Sequence, residues 1–312
     1  MLTRQLGTSG INVSALGLGT RALGGDVADW GAVDDNESIA AINRALDSGI
    51  NLVDTAPSYG NGHSETIVGR AVRARRHQVV IATKCGMVAE EGNGTRRRCL
   101  TKDSIRAECE ASLRRLHTDY IDLYQCHCSD PSTPIRETME AMVSLRQEGR
   151  IRAIGLCDFG CEQIAAALEF GPIHSVQLAF SLLTRRAATD LVPYCQEHNI
   201  AVLAHSPLAL GLLAGEFHGG SRISGLRAKD PEFTGSRFAR NLDFVGKLQE
   251  IARASDRTVA QIALNWAANH PGVTSAVFGA TRLSQVDENT GAVGWTLEPR
   301  DTQSIQALLG NL

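Results

Sequence analysis

Four residues with acid–base side chains stand where apolar runs give out. "INLVD" ends in Asp54, "VVIATK" ends in Lys84, and "YIDLYQC" is followed at once by His127; Tyr59 lies five residues beyond Asp54, in "DTAPSYGNG". Singly, each has an ordinary use: Asp54 as a helix cap, Lys84 as an ion-pair partner, His127 as a satisfied core imidazole, Tyr59 as an amphipathic loop residue. Together they suit one reaction. A carbonyl that receives hydride develops negative charge on oxygen and then needs a proton. A phenol, with an ordinary pKa of about 10, is a poor acid at neutral pH unless a nearby ammonium lowers that value. A partly buried ammonium keeps its charge only beside a counter-ion. Tyr59 as acid, Lys84 as tuner, Asp54 as anchor and His127 as the donor that orients the carbonyl form a consistent set.

Residues so far apart need a scaffold that gathers them. Short β-type runs occur at 15–19, 50–54, 79–84, 120–126, 152–156, 175–179, 200–205 and 274–280. Their nearly unbroken apolar character predicts parallel strands covered by helices. Segments of helical period lie between them. Asp34 and Glu37 predict a capping box before Ile39, Ile42 and Leu46; Pro134 suits a first helical position; Thr258 suits a cap before Val259, Ile262 and Trp266. With no Pro, Gly or Ser linker between halves, residues 1–312 read as a single domain. The economical closure is a (β/α)8 barrel, with a doubly wound open sheet as the alternative. In a barrel the strand ends converge on one axis at the C-terminal face. "TRQLGTSGINVS" predicts a small hairpin at the barrel bottom, the polar 215–236 stretch a long loop over the mouth after strand 7, and "PRDTQSIQALLGNL" a terminal helix.

Composition narrows the field. The chain has 312 residues, 43% of them hydrophobic, and 31 basic against 34 acidic side chains, for a net charge of -3. Such a balance gives no broad electrostatic reason to bind nucleic acid or an anionic membrane. The basic clusters at 73–77 and 95–99 read as a solvated helix end and loop. The uncharged stretch from Thr258 to Thr281 carries Gln261, Asn265, Asn269, His270 and Pro271, which a membrane span would not. No signal peptide is apparent, and eight scattered cysteines predict free thiols in a reducing cytoplasm.

The ordered blocks "GINLVDTAPSYGNGHSETIVGRAV", "VIATKCG" and "SLRRLHTDYIDLYQCHCSDP" resemble those of the aldo-keto reductase superfamily, and the likeness runs from about Leu2 to Asn289. The resemblance implies a (β/α)8 barrel that binds NADPH without a Rossmann fold. It also implies reversible reduction of an aldehyde or ketone by the tetrad Asp54, Tyr59, Lys84 and His127. Tyr59 and His127 then also face the substrate, and Asp54 also borders the cofactor. It places Gly279, Ala280, Thr281, Arg282, Gln285, Glu288 and Asn289 at the adenosine 2′-phosphate and adenine, and Ser206, Leu208 and Gly211 at the pyrophosphate. Gly19 and Thr20 fall beside the nicotinamide ribose. At the nicotinamide carboxamide, Gln177 matches the family pattern, but Cys157-Asp158 replaces the usual Ser-Asn. A thiol donates weakly and an ionised carboxylate not at all. His205 replaces a large aromatic at the position that stacks on the ring. A carboxylate at Asp158 is expected to favour the positively charged, oxidised nicotinamide.

Two other readings compete. "CHCSD" holds Cys126, His127, Cys128 and Asp130, which suggests a metal-dependent hydrolase, but on a strand both thiols face away from His127. The resemblance also permits a catalytically weak, cofactor-sensing protein. The expected partner is a small carbonyl or alcohol, with no metal. Trp30, the loop from Phe217 to Phe238 and the tail after Gly291 are expected to shape its pocket, with plain packing the alternative for Trp30. The identity of the substrate and the oligomeric state are not legible.

Overall fold

The computed structural model describes residues 1–25, 33–90 and 95–310; Trp30 lies outside the described residues. A hairpin of β1 (Thr3–Gln5) and β2 (Asn12–Ser14) opens the chain. Eight parallel strands then close into a barrel in chain order: β3 (Leu16–Gly19), β4 (Leu52–Asp54), β5 (Val80–Cys85), β8 (Ile121–Cys126), β9 (Ile151–Cys157), β10 (Ser175–Ala179), β11 (Ala201–His205) and β12 (Val273–Gly279). The last pairs with the first, Gly279 opposite Gly19, so the alternative of an open sheet is excluded. Each expected strand is present, within two residues of its expected ends.

Between the strands run helices α1 (Asp35–Asp47), α2 (His63–Val72), α3 (Lys102–Leu116), α4 (Ile135–Gln147), α5 (Cys161–Leu168), α6 (Leu191–Glu197), α7 (Gly235–Ala254) and α8 (Val259–Asn269), followed by α9 (Leu283–Thr290) and α10 (Pro299–Leu309). Thr258 caps α8 reciprocally with Gln261, while the Asp34 carboxylate accepts from the backbone of Asn36 and Glu37 at α1. Among the described residues no helix is long and apolar enough to cross a membrane.

The period-two alternation of each strand sorts its side chains into two layers. Val53, Ile81, Tyr124, Ile154, Val176 and Val202 point outward into the helix layer, where they share a core with Ile42, Ile67, Ile105, Met139 and Leu264. Leu52, Val80, Ala82, Leu123, Ala153, Ala201 and Leu203 point inward and fill the barrel floor, together with Leu6, Ile11 and Val13 of the hairpin. The hairpin therefore seals the bottom, as expected. Two residues further along the inward register stands the next layer, and this layer is the site.

Three features depart from expectation. The cluster at 95–99 is largely solvated, as expected, but is not a loop: Arg96–Arg98 forms β7, paired antiparallel with β6 (Met87–Ala89) just beyond the end of β5. In the 73–77 cluster Arg76 is tied to the buried Asp122 at 2.7 Å. The stretch after strand 7 is not one continuous loop. Phe233 is buried between Phe217 and Phe238, with ring centroids 5.3 and 5.9 Å away, and the 20-residue α7 follows.

Candidate active site

Inward register carries the site residues to the C-terminal mouth. Leu52 faces in, so Asp54 does; Val80 and Ala82 face in, so Lys84 does; Leu123 and Gln125 face in, so His127, the residue just after β8, follows them. Asp54 is 4% and Lys84 1% exposed. Lys84 Nζ lies 2.8 Å from both Asp54 oxygens and 3.0 Å from the Thr55 carbonyl, contacts that account for its three N–H bonds. The Asp54 carboxylate also accepts from Gln177 Nε2 at 3.0 Å and Gln125 Nε2 at 3.3 Å.

Tyr59 rides on a sharp turn after β4. Gly60 there has φ 55°, and a Cβ on it would lie 1.7 Å from the Gly24 carbonyl oxygen, so only glycine fits. Arg96 braces the same turn, donating to the Ser58 carbonyl at 3.2 Å and to the Asn61 side chain. The Tyr59 ring meets the His127 ring edge-on, centroids 6.1 Å apart, and Lys84 Nζ lies 5.2 Å from the Tyr59 ring centre.

The electrostatics separate the roles of these groups. Burial pulls the Lys84 pKa down, but the Asp54 carboxylate outweighs it and leaves the ammonium firmly charged. Burial raises the Tyr59 pKa, and the opposing pull of Lys84 is not enough to reverse it. The expected lowering is thus only an offset, because burial is the larger effect and the nearby Asp54 carboxylate further opposes the ammonium. His127 is pulled down to about 3, by burial first and the Lys84 charge second, so the imidazole is neutral.

All of these groups except Lys84, which sits behind Asp54, line one cleft of about 460 Å³. The cleft also gathers Gly19, Cys157, Asp158, Gln177, His205, Ser206, Leu208 and Gly211, and at its far end Gly279, Ala280, Thr281, Arg282, Gln285, Glu288 and Asn289. Thr20 is the exception among the expected cofactor residues. Its hydroxyl is buried on the Asp54 carbonyl at 3.0 Å and on Ser64 at 2.7 Å, and it does not line the cleft. No described residue after Asn289 lines the cleft either: Trp295, Leu297, Ile305 and Leu309 of the tail are drawn into a separate apolar cluster with α7 and α8.

The cleft suits a dinucleotide. Space for a Cβ stands open at Gly279, so backbone there is accessible to a bound group. The N-terminus of α9 adjoins it, with Arg282 at its cap position and Gln285 holding the Thr281 backbone N–H at 2.9 Å. Amides, a helix N-terminus and a guanidinium together form a donor set for phosphate. At the other end the donors are poorer. Asp158 adopts φ 55° and turns its carboxylate to 3.3 Å from His205 Nε2. Its pKa is lowered, because the His205 hydrogen bond and charge outweigh burial, whereas burial and Asp158 push the Cys157 thiol well up.

Phe217 and Arg227 line the cleft from the loop expected to shape the pocket, though Arg227 was not singled out; Arg21 and Leu210, which also line it, were missed. Arg21 Cζ stands 5.9 Å from the Tyr59 ring centre, and Arg227 Nε donates to the Leu210 carbonyl at 2.8 Å. The signal for Arg21 was its place directly after "GLGT"; Arg227 lay in a stretch with no periodicity. The metal-hydrolase set is not brought together: Cys126 packs outward in the helix layer, Cys128 contacts Met87, and Asp130 is occupied by Leu100, Ser132 and Thr133.

Known proteins agree with this architecture. The profile of the Aldo/keto reductase family matches residues 15–309. The aldo-keto reductase YhdN of Bacillus subtilis (strain 168) is 39% identical over 98% of this chain and 93% of its own length. The NADH-specific methylglyoxal reductase of Escherichia coli (strain K12) is 37% identical over 97% of each chain. The structure of the glycerol dehydrogenase AKR11B4 from Gluconobacter oxydans superposes with a TM-score of 0.91 at 36% identity, covering 99% of this chain and 95% of that one. With its closed barrel and near-complete match to that profile, the chain belongs to the aldo/keto reductase family, enzymes of carbonyl reduction that use nicotinamide cofactors.

Proposed function

We propose that the protein is an NADPH-dependent oxidoreductase that reversibly reduces an aldehyde or ketone to an alcohol, the whole chain acting as one unit. The observation that carries this reading is the meeting of Tyr59 and His127 in one cleft, at 6.1 Å between rings, over the clamped Lys84–Asp54 pair. Arg282, Thr281, Gln285, Asn289 and the α9 N-terminus would hold the adenosine phosphate end, and Ser206, Leu208 and Gly211 the pyrophosphate. Cys157, Asp158, Gln177 and His205 would border the nicotinamide. The chemistry that bound NADPH supplies is hydride.

The proton is assigned to Tyr59. A histidine of pKa about 3 is protonated in only about one molecule in ten thousand at pH 7, so His127 is no acid there. A neutral imidazole still has one N–H, which His127 would donate to the carbonyl oxygen. Tyr59 is fully protonated at pH 7, and the alkoxide that develops is a stronger base than phenolate, so the transfer runs downhill. Lys84 then stabilises the phenolate through its field, since its N–H bonds are taken by Asp54 and Thr55. In the reverse direction Tyr59 takes the proton back from the alcohol.

Preference for NADPH rests on Arg282, whose planar fork suits a 2′-phosphate. The Escherichia coli relative is named as NADH-specific, so membership of the family does not by itself fix this choice. Absorbance at the nicotinamide band, with sugars, aromatic aldehydes, keto acids and quinones and with each cofactor in turn, tests the reading. Turnover with NADPH supports it; tight binding of NADPH with no turnover on any carbonyl would favour the sensing alternative.

A further inference from the structure

We propose that Cys157, Asp158 and His205 form a binding site for a divalent cation of the zinc class, and that the cation and the dinucleotide exclude one another. Adjacent residues on a strand point to opposite faces. Cys157 ends β9 facing inward, so Asp158 would ordinarily face out; its left-handed φ of 55° breaks the alternation and brings both side chains to the mouth. His205 ends β11 on the same inward register, two strands away.

The ligand atoms of the three residues all lie within 4.8 Å of one another. Asp158 Oδ1 is 3.3 Å from His205 Nε2, and Cys157 Sγ is 3.8 Å from Asp158 Oδ2. Ligands at about 2.0–2.3 Å from one tetrahedral ion lie about 3.3–3.6 Å apart, so closing on an ion shortens the widest separation by up to about 1.5 Å. The partly exposed His205 ring and the exposed Asp158 carboxylate can share that movement. Its other nitrogen, Nδ1, sits 3.1 Å from Ser206 Oγ, the kind of outer partner that orients a metal-ligating imidazole. One thiolate, one imidazole and one carboxylate favour zinc over magnesium or calcium, and the fourth position faces the open cleft.

The site is independent of any cofactor; the exclusion rests on the proposed reading that these residues border the nicotinamide. Full-length protein, freed of metal and dinucleotide, is titrated with Co²⁺ as the probe. One equivalent is expected to give a thiolate-to-cobalt charge-transfer band in the near ultraviolet, and Zn²⁺ to bleach it. Cys157→Ser should abolish the band, and His205→Gln should weaken Co²⁺ binding by more than about tenfold, the loss that even outer partners cause. Thermal unfolding of each variant checks that it is folded, and either variant alone suffices. An absent band, or one that survives Cys157→Ser because it arises at the half-buried Cys128 or Cys161, would overturn the site. Saturating NADP⁺, whose oxidised ring does not absorb in the near ultraviolet, should suppress the band; a band that persists with the dinucleotide bound overturns the exclusion and leaves the site standing. NADPH binding measured in chelator reports separately on the proposed function.

Discussion

Lys84 Nζ lies 2.8 Å from each oxygen of Asp54, behind the cleft wall, where Lys84 is 1% exposed. This pair fixes the charge beneath Tyr59. It also makes the site costly to dismantle, because removing one buried partner leaves the other uncompensated. Asp54→Asn is therefore expected to lower stability by about 3–5 kcal/mol, measured by urea unfolding, besides reducing turnover. A loss under about 1 kcal/mol would show that solvent or a neighbour already compensates Lys84.

His127 gives a pH prediction. Its folded pKa of about 3 lies below its ordinary value of about 6.5. Between these values the unfolded chain binds a proton that the folded chain refuses, so this contribution to stability is fully present above about pH 6.5 and is lost as pH falls toward 3. In kinetics, kcat/KM should show no inflection from His127 between about pH 5 and 8. His127→Gln, which keeps an N–H donor, should retain more activity than His127→Ala. A His127 imidazole that titrates near 6.5 by NMR would contradict the assignment.

How much of this was legible in the sequence depended on burial. Strands covered on both faces must be apolar throughout, so all eight barrel strands read as runs, and Asp54, Lys84 and His127 were visible as the polar ends of three of them. The helix α7 was not visible. Its deeply buried residues are the polar Asn241 and, further on, Phe244, Val245, Leu248 and Ala252; it has no side-chain cap at Thr234, and its first turns are mostly polar. Strand β7 is three arginines on an exposed ribbon, a pattern with no apolar period. The side-chain partners were beyond reach for another reason. Gln125 and Gln177 donate to Asp54 from 71 and 123 residues away, and that proximity exists only once the barrel closes.

Arg282 is the test of cofactor choice. Arg282→Ala should raise KM for NADPH by about 10- to 100-fold, the range of one or two charge-assisted hydrogen bonds, and leave KM for NADH within about twofold. Equal effects on both cofactors would remove Arg282 from the 2′-phosphate.

Asp158 tests the poise of the cofactor. Its carboxylate is held ionised beside His205 and lines the same cleft as Gln177. Asp158→Asn should weaken NADP⁺ more than NADPH in calorimetric titrations, since only the oxidised ring carries positive charge. Equal changes for the two forms would contradict the expected attraction.

The central claim is that the Tyr59 hydroxyl delivers the proton. Tyr59→Phe removes one oxygen and leaves the ring against His127. The measurement is kcat for an active aldehyde together with the dissociation constant for NADPH, on the same preparation. The account predicts a fall in kcat of at least about 10²–10⁴-fold, the usual worth of a positioned acid, with NADPH affinity within about twofold of wild type. A Tyr59→Phe enzyme that still reduces the aldehyde within about tenfold of the wild-type rate would contradict it.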